Sequence, residues 1–109
     1  MSRVVHCRRE SYDVYIGRGR DPRTGRPGEW GNPYSHRPSR LPGVILVADV
    51  EEATARYRLH LWEEIHSGRL ALDRLAALEG EKLGCWCSPG RCHGEVLVAA
   101  AAWAARQLG

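Results

Sequence analysis

Three cysteines and a histidine fall within nine residues, Cys85-Trp86-Cys87-Ser88-Pro89-Gly90-Arg91-Cys92-His93, and no other stretch limits the fold of this chain as strongly. Lys82 to Cys87 is short and β-prone. Ser88-Pro89-Gly90-Arg91 reads as a turn. An Ala-rich helix is expected from about Cys92 or His93 to Leu108, stopped by Gly109. Strand, tight turn and helix N-terminus then meet at the thiols. On an extended strand Cys85 and Cys87 share one face, while Trp86 takes the other, toward the core. The free N–H groups and the dipole at the helix start favour an anion or a thiolate, and Arg91 adds positive charge.

Three interpretations of this segment stand open. In the first it is a reactive thiol site: Cys87 or Cys92, or else Cys85, is the nucleophile, His93 the base, and Arg91 with backbone amides holds an anion. Cys85 and Arg91 also meet the C-x5-R spacing of thiol phosphatases, but the flanking His and Ser/Thr of that pattern are missing, so the match is treated as fortuitous. In the second, Cys85, Cys87, Cys92 and His93 are the donor types that suit zinc. Spacing resists this, because C-x-C on a strand separates α-carbons by about 7 Å. Two thiolates on one zinc lie about 3.7 Å apart for bonds of about 2.3 Å, so the strand must bend. Adjacent Cys92 and His93 would also diverge around a helix. In the third, the cysteines are simply small buried hydrophobes.

Val4-Val5-His6-Cys7 and Tyr12-Asp13-Val14-Tyr15-Ile16 are two further β-prone runs. Gly17 to Gly43 follows, with six Gly, five of the six Pro and six Arg. A loop of that length is unusual inside a compact domain unless it binds something or is disordered. Val44 to Val47 is a candidate strand closing it. Asp49, with Glu52 three residues on, resembles a capping box. Val50, Ala53, Tyr57, Leu61 and Ile65 then recur at helical spacing up to the stop at Gly68. A shorter helix is expected from about Leu72 to Glu79, ended by Gly80. The order β-β-loop-α-α-β-α makes this an α/β chain, one small sheet packed against two or three helices. Its 109 residues leave room for one core, a single domain over residues 1–109.

The net charge of +3 is unevenly placed. Residues 1–43 carry nine Arg against four acids, giving +5, and residues 44–109 carry seven basic against nine acidic groups, giving −2. The first half therefore suits an anionic ligand. In the loop, Arg18 and Arg20 could clamp a phosphate, Trp30 or Tyr34 could stack on a base, and Asn32 could orient it. Gly17-Arg18-Gly19-Arg20-Asp21-Pro22 is not the dinucleotide fingerprint, since it lacks the third glycine. His60 and His66 read as solvated beside Glu63 and Glu64; His6, His36 and Cys7 have no evident partner. No apolar run reaches a membrane span or a signal peptide, so a cytoplasmic location is expected. There the four cysteines stay reduced.

Val14-Tyr15-Ile16-Gly17-Arg18, Gly28-Glu29-Trp30-Gly31-Asn32-Pro33-Tyr34, Arg56-Tyr57-Arg58 and Leu83-Gly84-Cys85-Trp86-Cys87…Cys92-His93-Gly94-Glu95-Val96-Leu97 together resemble the bacterial and phage family called domain of unknown function 4326. The resemblance implies one cytosolic module holding both the Trp-Gly-Asn-Pro loop and the Cys-His turn, and brings no activity with it. The expectation from the residues is a thiol-dependent transferase or hydrolase acting on an anionic, nucleotide- or nucleoside-like small molecule. Its alternatives are a zinc-stabilised nucleic-acid-binding module and a homodimer joined through the helix around Trp103. No cofactor is implied beyond that zinc, and no membrane partner.

Overall fold

A computed structural model describes residues 1–87 and 92–109 of the chain. Its strands are β1 (Arg3–His6), β2 (Val14–Tyr15), β3 (Tyr34–Ser35), β4 (Ile45–Leu46) and β5 (Lys82–Cys85), and its helices are α1 (Val50–His66), α2 (Leu72–Ala76) and α3 (Gly94–Leu108). β5 lies between β1 and β2 and runs parallel to both. Val5 faces Gly84 on one side and Tyr15 faces it on the other. Parallel strands cannot be joined by a tight hairpin. The long loop, α1 and α2 therefore make the crossover from β2 to β5.

Residues 7–13, which join β1 to β2, carry the Tyr12 ring against Gly84. A Cβ on Gly84 would come within 2.5 Å of that ring, so the centre of the sheet needs glycine there. Val5, Tyr15, Leu83 and Cys85 are buried, as expected for a parallel sheet covered on both faces.

The expected cap of α1 is present, with Asp49 Oδ1 accepting from Glu52 N–H at 2.7 Å. The Glu52 carboxylate returns to Ala48 N–H at 2.9 Å, one residue earlier than in a regular capping box. Ala53, Tyr57 and Leu61 face the core, and Gly68 leaves the helix at φ 80°. α2 stops at Ala76, short of the expected Glu79, and the chain turns down to Gly80. α3 begins at Gly94 rather than at Cys92 or His93, and buries Leu97, Ala101 and Ala104. It packs on α2 and on β1. An added Cβ at Gly94 would lie 2.7 Å from Val4 Cγ2 and 3.0 Å from Ile16 Cδ1, so the start of α3 rests directly on the sheet.

The Gly/Pro/Arg-rich stretch is tied down by its own bonds. Arg18 Nε donates to Asn32 O at 2.6 Å and Nη2 to Tyr34 O at 3.3 Å. Asn32 Nδ2 donates to Ala53 O at 3.1 Å, anchoring the loop on α1. The stretch also contains β3, which the sequence does not announce, paired in parallel with β4. Among the described residues no helix is long and apolar enough to cross a membrane.

Candidate metal and ligand site

The strand ladder ends at Cys85, whose carbonyl accepts from Cys7 N–H at 3.0 Å. The chain bends at Trp86 and Cys87, leaving both exposed. The alternation expected for a longer strand stops there, which corrects two expectations at once. Trp86 does not point into the core, and Cys87 is not held a strand's length from Cys85.

Cys92 lies at the same edge. The Sγ atoms of Cys85 and Cys92 lie 3.6 Å apart, both buried. His93 is the N-cap residue of α3, and its ring turns to the same side as the Cys92 thiol. The donor atoms of Cys85, Cys92 and His93 lie within 4.8 Å of one another, a group that could hold a metal ion. Cys92 Sγ also accepts from Gly94 N–H at 3.3 Å. The imidazole is fixed by Nε2 on Ile16 O at 2.6 Å and by a T-shaped contact with Tyr57, ring centres 4.9 Å apart. Tyr57 Oη in turn donates to Trp30 O at 2.9 Å. The whole group sits at the carboxyl end of a parallel sheet, where open α/β proteins bind their ligands.

Cys87 stands outside that group of three donors but interacts with both buried thiols. Hydrogen bonds from Cys85 and Cys92 hold it far below the ordinary thiol range, against the effect of burial, with further help from His93 and Arg18. Cys85 is pushed up to about 11, first by its hydrogen bond with Cys87. Cys92 is raised by hydrogen bonds to Cys85 and Cys87 and then by burial. Among the three thiols, ionisation is therefore favoured at Cys87 over Cys85 and Cys92. Burial lowers the His93 pKa against the pull of the Ile16 carbonyl. A neutral imidazole is the form a metal takes as ligand.

The residues expected to bind substrate are placed differently. Arg18 and Asn32 line a cleft of about 420 Å³ with Arg20, but their polar groups are spent on loop and helix carbonyls. Arg20 Nη1 donates to Gly25 O at 2.9 Å. Trp30 is only 9% exposed and belongs to the core cluster with Cys85 and Cys92, under the Arg74 guanidinium. Arg91 and the Pro89-Gly90 turn lie outside the described residues. The open aromatic surface at this edge belongs instead to Trp86, 45% exposed. Ile16 and Tyr57, which hold His93, stood out only within the segments that carry the family resemblance, and not as site residues. A backbone carbonyl leaves no mark in a sequence, and Tyr57 looks like any core residue of an amphipathic helix.

The model of a family described as "Domain of unknown function (DUF4326)" matches residues 2–103 of the chain. The chain is also similar to the "Uncharacterized 12.4 kDa protein in nrdA-td intergenic region" of Enterobacteria phage T4. The two are 29% identical over 97 residues, which cover 89% of this chain and 74% of the phage protein. No solved structure matches it.

Proposed function

Because the chain belongs to the DUF4326 family, whose match takes in both halves of the thiol cluster, we propose that it is a zinc-binding α/β domain with Cys85, Cys87, Cys92 and His93 as ligands. The observation that carries this is the 3.6 Å separation of the Cys85 and Cys92 sulfurs. Thiolates sharing a tetrahedral zinc at about 2.3 Å are themselves about 3.7 Å apart, so the two buried thiols already have the spacing of a ligand pair. The His93 Nε2 contact with Ile16 O is an outer bond of the kind that orients a ligating imidazole. In a reducing cytoplasm the thiols stay available. The ion ties the end of β5 to the start of α3, so its binding energy adds to folding.

Native mass spectrometry of the reduced, untagged protein tests this. One zinc per chain is expected, and it should vanish in a Cys85→Ser, Cys92→Ser variant. A metal-free mass from zinc-supplemented cells rejects the assignment.

A second reading rests on the exposure of Cys87 beside the charge of Arg18. In it, Cys87 or Cys92 is the nucleophile of a transferase or hydrolase acting on an anionic, nucleotide-like molecule, and His93 tunes the thiol. Alkylation that spares the fold should then abolish turnover. Unchanged activity in a Cys87→Ser, Cys92→Ser variant rules it out.

A further inference from the structure

The exposed indole of Trp86 is set in place with unusual care for a surface residue. Its Nε1 donates to Tyr15 Oη at 2.8 Å, and Tyr15 Oη donates to Arg18 O at 2.6 Å. The His6 ring meets it edge-on with centroids 6.0 Å apart. A large aromatic held this firmly has already lost the rotamer freedom that binding would otherwise cost. It is half open and stands at the carboxyl edge of the sheet.

Positive charge is built in beside it. The Arg8 guanidinium lies 5.3 Å from the indole centroid and makes no ion pair among the described residues. Arg8 also lines a hollow of about 340 Å³ with Arg23, Ser11 and Tyr12. Glu10, on the same rim, is already paired with Arg3 at 3.1 Å. A rigid, half-open indole with a guanidinium over its ring, a cation that makes no ion pair among the described residues, matches a ligand with a planar heterocycle and a phosphate.

We infer that Trp86 and Arg8 form a nucleotide-binding site, with the base stacking on the indole and the phosphate held by Arg8. This stands apart from the zinc reading, since neither residue is among the proposed ligands. The recognised chemistry, a base joined to a phosphate, is shared by a free nucleoside monophosphate and by a nucleotide within a single strand. Stacking of this kind tolerates any base, since each has a π-face.

The test is calorimetric titration of the full chain, with zinc content measured on the same samples. Adenosine monophosphate, a short single-stranded oligodeoxyadenylate and inorganic phosphate are the three probes. Binding of either nucleotide probe, with phosphate at least tenfold weaker, supports the site, and the stronger of the two identifies its source. Trp86→Ala should weaken binding about tenfold or more, and Trp86→Phe should recover most of it. Arg8→Ala, an exposed change that leaves the fold intact, should weaken binding and flatten its salt dependence by about one unit of log–log slope. Phosphate binding as tightly as the nucleotides, no binding of either nucleotide, or full affinity in both Arg8→Ala and Trp86→Ala overturns the inference. A zinc-free sample that still binds separates this outcome from failure of the metal assignment.

Discussion

His93, at the N-cap of α3, meets the carbonyl oxygen of Ile16 through Nε2 at 2.6 Å. The bond ties the helix start to the residue following β2, across most of the chain. His93→Ala leaves that carbonyl without its partner and opens a space beside Tyr57. A loss of about 2–4 kcal/mol is expected, read as a lower urea midpoint at unchanged slope. The loss should persist in metal-free protein, because the bond needs no ion.

Removing the ion should destabilise the domain without dissolving its hydrophobic core. Chelation is expected to lower the thermal midpoint, and added zinc to restore it in a concentration-dependent way. Cys85→Ser should remove both the metal and the response to chelator. Cys7→Ser should keep the response, because Cys7 lies in a separate buried cluster with Val5, Tyr12 and Tyr15.

Gly94→Ala tests how closely α3 sits on the sheet. The new methyl group would press on Val4, Ile16 and the Cys92 sulfur together. An overpacking cost of about 1–3 kcal/mol follows, with weaker zinc retention as the thiol shifts. Gly25→Ala, where a Cβ meets nothing but the backbone has φ 74°, should cost less and leave zinc binding untouched.

The buried hydrogen bond from Tyr12 to Asp21 gives stability a pH dependence at both ends. Burial, then the bond to Asp21, pushes the Tyr12 hydroxyl up to about 12. Its contribution is complete below the ordinary tyrosine value near 10 and is lost as pH rises toward 12. Burial alone would raise Asp21, but the Tyr12 hydroxyl and the Arg23 backbone and guanidinium outweigh it, so its pKa falls below the usual range. That contribution is complete above the unfolded carboxyl value near 4 and is lost as pH drops through the folded one. Tyr12→Phe should flatten the alkaline limb and weaken the acid limb in urea titrations across pH.

The parts of the fold that could be read in advance carry their own local chemistry. α1 is marked by Asp49, Glu52 and Gly68, each acting within one turn of the helix, and β5 by the short β-prone stretch from Lys82 to Cys85. β3 is two residues long and held by its pairing with β4 and by Arg18 on the Tyr34 carbonyl, so Tyr34 and Ser35 carry no pattern of their own. At the site, the residue types of the Cys/His cluster were legible but their spacing misled. The spacing objection assumed that β5 continues to Cys87, whereas its pairing partner β1 ends opposite Cys85. Trp86 was misdirected for the same reason. Trp30, open to stacking on a base or to capping the core, lies in the core, with Gly28 and Gly31 close by in the chain. Those glycines are required by close backbone packing: a Cβ at Gly28 would lie 2.9 Å from Gly17 O, and one at Gly31 3.0 Å from the same atom.

The central position of β5 also bears on the order of events during synthesis. The two strands made first are neighbours of a strand made last, and they do not pair with each other. Until residue 85 has been added, β1 and β2 have no edge to join, and Val5 and Tyr15 stay without their cover. Sheet formation, closure of the thiol cluster and docking of α3 therefore belong to one late step, dominated by contacts between distant parts of the chain. A nascent chain halted before β5 would hold a capped α1 and little else of the native structure.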